Sequence, residues 1–297
     1  MRYILIYYTG TFNTRHLTKN VETRLKKLSN DVDTYEINPL NNETLDLSSY
    51  DVVGIGYPIY GFNAPKPLLD FLKKQKFIKD QKVFIYKNSG ETYHANDASS
   101  ISIVKKAKRE KALCTNEYHF IYPYNIHFRF DEHLVKEMLG VNELLLDILE
   151  KEITDNIPSI KKYKLIPRLI TFIVKLQFLG GPVNSYFYKV DSNKCVKCNM
   201  CIANCPTKNI YIDEKDKIKF HHNCLMCMRC SLYCPKDAIK IGFLDSWRVN
   251  KPYNFSAIEK LENKEKIITK NTKGFFKCYI ETYKNIEKRH HELFGDN

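Results

Sequence analysis

The sequence predicts an α/β chain in which a doubly wound parallel sheet is followed by a small α+β domain. Three observations carry this. Short apolar runs alternate with amphipathic stretches through residues 1–155, as strands joined by crossover helices do. Eight of the ten cysteines fall within residues 195–234, which marks a second unit with its own chemistry. The 297 residues exceed one typical domain, and 43% hydrophobic content supports a substantial core.

The first run, residues 2–8, is apolar and aromatic and ends at Thr9-Gly10-Thr11-Phe12-Asn13-Thr14. From His16 to Leu28 the positions Leu17, Val21, Leu25 and Leu28 recur at helical spacing, so the order is strand, hydroxyl-rich loop, helix. Further strands are expected at residues 33–37, 51–57, 82–87 and 118–122, with helices near 65–76 and 97–112. In such a sheet the loop after the first strand faces the crevice at the strands' carboxyl ends, with a helix N-terminus behind it. Free backbone N–H groups and the helix dipole there favour an anion. The hydroxyls of Thr9, Thr11 and Thr14 add donors without a positive side chain. Two later loops reach the same edge: Gly56-Tyr57-Pro58-Ile59-Tyr60-Gly61 and Asn88-Ser89-Gly90-Glu91-Thr92-Tyr93. Both carry glycine and aromatics, suited to a flat conjugated ligand. Tyr57 and Tyr60 have a second reading, as packing against the helix that begins near Pro65.

Residues 131–155 read as a helix with an apolar stripe through Leu134, Met138, Val141, Leu145, Ile148 and Leu149. Another helix is expected from 167 to 179, opened by Pro167 and closed by Gly180-Gly181-Pro182. It is nearly all apolar, with Arg168, Thr171 and Lys175 as a narrow polar stripe and Lys161, Lys162 and Lys164 upstream. The expectation is a helix buried between the two modules; the alternative is docking on a membrane surface, since it is too short to span a bilayer. Residues 272–294 look helical, with Phe275, Phe276, Tyr279 and Tyr283 covering the core or the cysteine module.

Cys195, Cys198, Cys201 and Cys205 precede Pro206, and Cys224, Cys227, Cys230 and Cys234 precede Pro235, so the run C-x2-C-x2-C-x3-C-P occurs twice. Three cysteines at this spacing can wrap one corner of an iron-sulfur cubane while a fourth thiolate arrives from elsewhere. The tails Cys205-Pro206-Thr207-Lys208-Asn209-Ile210 and Cys234-Pro235-Lys236-Asp237-Ala238-Ile239 run parallel, the mark of an internal duplication. Residues 186–243 resemble the bacterial 2x4Fe-4S ferredoxins. The resemblance implies two 4Fe-4S clusters with crossed ligands: cluster I on Cys195, Cys198, Cys201 and Cys234, cluster II on Cys224, Cys227, Cys230 and Cys205. Ile210 and Ile239 are expected to shield them from water. Structural zinc prefers well-separated cysteine pairs, often with histidine, and disulfide frameworks belong to secreted chains. His221 and His222 read as solvated loop residues, and Cys114 and Cys278 as inert thiols.

The loop from Thr9 to Thr14 resembles the FMN phosphate loop of flavodoxins, S/T-x-T-G-x-T, with Phe12 standing where that family commonly has glycine. This resemblance implies a flavodoxin-like sheet of order 2-1-3-4-5. It also implies FMN held by Thr9, Thr11, Phe12, Asn13, Thr14, Pro58, Ile59, Tyr60, Gly61, Asn88, Ser89 and Gly90. The two units in this order resemble the EFR1 family of flavodoxin-ferredoxin fusion proteins. The expected domains are 1–155, a helical connector 156–185, the ferredoxin domain 186–243 and a helical extension 244–297. The expected function is electron transfer between two 4Fe-4S clusters and FMN, with no catalytic acid or nucleophile. One alternative is a flavin-dependent reductase of a small molecule or quinone, with Tyr93, His94 and Asn96 lining its pocket. The other is a flavodoxin-like domain used only for docking.

The net charge of +13 is spread, with +6 over residues 1–130, zero over 131–190, +4 over 191–242 and +3 over 243–297. That suits a docking field for an acidic redox partner and not a nucleic-acid arm. No apolar stretch reaches 18 residues, and the first run is too short for a signal-peptide core, so a cytoplasmic protein with no transmembrane segment is expected. A reducing compartment also suits iron-sulfur clusters.

Overall fold

The computed structural model describes residues 1–28, 31–41, 43–161, 163, 165–174, 177–262 and 264–295. Five strands, β1 (Tyr3–Tyr7), β2 (Val32–Glu36), β3 (Val52–Pro58), β4 (Lys82–Ser89) and β5 (Leu113–Ile121), pair in parallel in the order β2-β1-β3-β4-β5. This is the flavodoxin-like order. Four helices belong to this unit: α1 (Asn13–Leu28), α2 (Lys66–Lys74), α3 (Ile101–Arg109) and α4 (Glu132–Thr154).

Helices cover both faces of the sheet, which is why its strands read as nearly unbroken apolar runs. Tyr3, Leu5 and Tyr7 of β1 join a core with Leu17, Val21 and Leu25 of α1 and with α4. Ile4, Ile6 and Tyr8 join the opposite core with Leu68 and Phe71 of α2 and Ile103 of α3. The end strand β5 runs from 113 to 121, several residues longer towards its start than its apolar run, because its first half pairs with β4 through Leu113 and Cys114. The stretch expected as one helix at 97–112 divides into a 3-10 turn, His94–Ser100, and α3. That turn is fixed by Lys87, wholly buried at the end of β4. Its ammonium pairs with buried Glu117 at 2.5 Å and also donates to Asn96 O and Ser99 Oγ. Burial pulls the Lys87 pKa down, and Glu117 opposes that pull. A buried cation is tolerable only with such partners.

The connector departs from expectation. It forms α5 (Leu165–Val174) and α6 (Gln177–Ser185), and α6 continues through Gly180-Gly181-Pro182 instead of stopping there. Gly181 serves close packing: a Cβ on it would stand 2.4 Å from Cys224 O. Nor is α5 buried between the modules, since most of its apolar side chains face outward. Lys162, Lys164 and Lys175 lie outside the described residues. Beyond α6, the strands β6 (Tyr188–Val190) and β9 (Ile239–Ile241) form one antiparallel ladder, and β7 (Ile210–Ile212) and β8 (Ile218–Phe220) another. The short helices α7 (Met200–Ala203) and α8 (Arg229–Leu232) complete this small unit. The C-terminal residues form α9 (Phe255–Ile258) and α10 (Cys278–Phe294), and Tyr253, Ile258, Tyr279 and Tyr283 pack into the α1/α4 core. Among the described residues no helix is long and apolar enough to cross a membrane.

Candidate functional site

A cavity of about 820 Å³ opens at the carboxyl ends of the strands, within the range of small-molecule and cofactor sites. Its walls include Thr9, Thr11, Asn13 and Thr14 after β1, Pro58, Ile59, Tyr60 and Gly61 after β3, and Asn88, Ser89 and Gly90 after β4. Eleven of the twelve residues expected to hold FMN therefore line one space. The first loop turns into the N-terminus of α1, whose first turn carries no acidic side chain, so its amides and dipole present positive potential. Thr14 Oγ1 donates to Asn88 Oδ1 at 2.8 Å, and Thr11 meets Asn125. Thr9 is 2% exposed, and its Oγ1 has no protein partner. A buried orphan hydroxyl beside a helix N-terminus fits a phosphate group supplied from the cavity.

The exception is Phe12. Its φ of 71° is the left-handed conformation that glycine adopts freely, so the backbone keeps the path on which the resemblance was drawn. The ring turns instead into a second cavity of about 240 Å³ on the far side of the loop. Tyr57 and Tyr60 divide between their two readings: Tyr57 is buried in the α2/α3 core, whereas Tyr60 lines the main cavity. Of the reductase candidates, Tyr93 reaches the cavity wall, His94 bonds Asp97, and fully buried Asn96 bonds Glu91 beneath the loop. Sequence reasoning missed the loop after β5, where Tyr122, Pro123, Tyr124 and Asn125 line the same cavity. Its place at the carboxyl edge was the available signal. The C-terminal extension also proves to brace the third loop, through Tyr279 to Gly90 O and Thr92 Oγ1 to Cys278 O.

The cysteine region folds so that each run meets the tail of the other. Cys195, Cys198 and Cys201 surround one small void with Cys234, and Ile239 lines it. Cys224, Cys227 and Cys230 surround another with Cys205, and Ile210 lines that one. The duplication is visible in the backbone: Lys197, Asn199 and Lys208 have φ of 53°, 58° and 49°, and their counterparts Met226, Met228 and Asp237 have 51°, 61° and 51°. Left-handed residues other than glycine cost about 1–3 kcal/mol each. Six such residues in matched places mark two equivalent turns, of the left-handed kind found in anion-binding nests. Amides reach sulfur at 3.2 Å from Asn209 to Cys205 and from Ala238 to Cys234. Burial pushes the Cys224 thiol up to about 12 and the Cys201 thiol up to about 11, with neighbouring cysteines adding to the rise. Among the described residues no group of three or more His, Cys, Asp or Glu is arranged to hold a metal ion.

Residues 194–239 match the 4Fe-4S dicluster domain family.

The curated relatives align over 51 to 53 residues of this chain. Identity is 39% over 51 residues with the archaeal-type glutamate synthase [NADPH] of Dehalococcoides mccartyi, covering 16% of this chain and 10% of that protein. It is also 39% over 51 residues with the pyruvate synthase subunit PorD of Methanocaldococcus jannaschii, covering 17% and 59%. The chain thus spans well under two thirds of either relative. Among solved structures, a Streptococcus pneumoniae flavodoxin aligns at 16% identity and TM-score 0.39, covering 53% of this chain and 100% of that one. A Treponema denticola general stress protein 14 in complex with FMN aligns at 14% and 0.34, covering 41% and 87%.

The dicluster domain sits directly against the cavity. Cys224, Leu225, Met226, Cys227 and Met228 form part of its wall. A Cβ on Gly10 would stand 1.9 Å from the Tyr60 hydroxyl and 3.1 Å from Cys227 Cβ, so only glycine permits this three-way approach. Arg229, between Cys227 and Cys230, donates to Gly10 O at 2.5 Å and Thr9 O at 2.8 Å. Its guanidinium lies 4.4 Å from the centre of the Phe12 ring, with Arg15 at 4.3 Å. Tyr233 adds a bond to Thr11 O at 3.2 Å. Phe12 therefore fastens the dicluster domain to the loop, and the two cation-π contacts offset its backbone strain. Of the remaining thiols, burial pushes Cys114 up to about 12, which keeps it protonated and inert, and Cys278 is partly buried against the α4/α10 core. His221 and His222 are exposed and stack on Tyr211 and Tyr186.

Proposed function

We propose that this chain is an electron-transfer iron-sulfur flavoprotein of the flavodoxin-ferredoxin fusion type, moving electrons between two 4Fe-4S clusters and FMN. The observation that carries the reading is that Cys224 and Cys227 line both a four-cysteine void and the large cavity. One cluster site and the flavin site thus share a wall. Cluster I would be held by Cys195, Cys198, Cys201 and Cys234, and cluster II by Cys224, Cys227, Cys230 and Cys205. FMN would lie with its phosphate at Thr9 and the α1 N-terminus and its ring between the Tyr60 and Gly90 loops. The clusters supply one-electron steps and FMN one- or two-electron steps, so the pair joins the two kinds of carrier. The protein's part is to hold the sites adjacent through Arg229 and Phe12, exclude water with Ile210, Ile239 and Met228, and stabilise anionic sulfur with backbone amides. An acidic redox protein is the proposed outer partner, meeting the positive surplus of residues 191–242. Anaerobic purification with assays for iron, acid-labile sulfide and flavin tests the reading: about eight irons and one FMN per chain are expected. Eight irons with no flavin after added FMN would reduce the chain to a two-cluster ferredoxin on a docking domain.

A further inference from the structure

Helix α5 is seated through Pro167 and Thr171, while Arg168 is exposed. Thr171 is 3% exposed, and its hydroxyl donates to Phe62 O while Asn63 Nδ2 donates to Thr171 O. Just upstream, Tyr163 bonds Glu117 and Lys161 pairs with Asp97. The segment is thus firmly seated on the flavodoxin-like unit. Leu165, Ile166, Leu169, Phe172 and Ile173, spaced as one helical stripe, face away from that seat at 77, 71, 57, 72 and 55% exposure. A water-facing helix ordinarily shows the reverse pattern.

We infer that α5 docks this protein on the surface of an anionic phospholipid bilayer. Charge selects that occupant. From 156 to 190 the sequence contains no Asp or Glu and carries Lys161, Lys162, Lys164, Arg168, Lys175 and Lys189. An apolar stripe on a purely basic segment matches an interfacial anchor, in which apolar side chains enter the acyl boundary while cations meet lipid phosphates. Ten helical residues span about 15 Å, too little to cross, so the helix lies in the interface. The large cavity opens beside it, with Val174 at the end of α5 and exposed Phe243 and Trp247 in its wall. Docking would therefore bring the cavity close to lipid.

The test is co-flotation of the full-length, cluster-loaded protein with vesicles of phosphatidylglycerol and phosphatidylcholine, and with vesicles of phosphatidylcholine alone. Preferential binding to the anionic vesicles, weakened by salt, is expected. The double variant Leu169→Asp/Phe172→Asp should lose roughly tenfold or more in binding, with iron content and thermal melting unchanged because both side chains are exposed. No binding by the wild type, or equal binding by wild type and variant, overturns the inference. So does a wild-type dimer that the variant converts to monomer without any lipid binding, which would make the face a self-association surface.

Discussion

Replacing Cys205 with alanine should remove about four of the expected eight irons and uncouple the proposed flavin from the clusters, although Cys205 lies in the first cysteine run. The reason is the crossed arrangement: Cys205 faces the void of Cys224, Cys227 and Cys230, the set that also borders the large cavity. Cys234→Ala should also remove about four irons, but from the void bordered by Cys195, Cys198 and Cys201, and should leave the proposed cavity-side cluster beside the flavin site. Iron analysis with anaerobic reduction followed at flavin wavelengths separates the two variants. Equal loss of flavin reduction in both, or its survival in Cys205→Ala, would contradict the assignment of the cavity-side cluster.

Arg229→Ala should leave both clusters and FMN bound yet loosen the seam between them. The substitution deletes two charge-assisted hydrogen bonds to the Thr9 and Gly10 carbonyls and one cation-π contact with Phe12. Together these amount to roughly 2–4 kcal/mol in a partly buried seam. Positioning is a steep function of such contacts, so flavin reduction through the clusters should slow about tenfold or more. Arg229→Lys keeps the charge but loses the planar fork that spans two carbonyls, so it should recover only part of the rate. Stopped-flow reduction with parallel iron and flavin assays checks this; an unchanged rate in Arg229→Ala would deny the residue its positioning role.

The duplicated cysteine runs were legible as an iron-sulfur pattern because spacing and the following proline restrict what can bind them, whereas the crossed ligand sets came from the resemblance to bacterial ferredoxins. The Thr9 to Thr14 loop was legible as a cavity wall through its company: three loops in order at the carboxyl ends of the strands, which line one space. Phe12 looked like a defect in that loop, since sequence shows neither its left-handed backbone nor the two guanidinium groups that flank its ring. Tertiary contact decided the rest. The 122–125 wall of the cavity carries no motif, and Tyr279 supports Gly90 from 189 residues away in the chain. Helix α5 misled because apolar content gives the amount of hydrophobic surface but not the side on which its few polar atoms find partners. Thr171 and its carbonyl settle that by bonding inward to Phe62 and Asn63.

Electron exchange between flavin and clusters within one chain is proposed to run across the wall shared by Cys227, Gly10 and Tyr60. Its most direct test is rapid anaerobic mixing of the loaded protein with less than one equivalent of a low-potential one-electron donor, following cluster and flavin absorbance at several protein concentrations. The clusters should bleach first, and the flavin should then bleach at a rate independent of protein concentration. A flavin rate that rises in proportion to protein concentration, or a flavin that stays oxidised while the clusters are reduced, would contradict it.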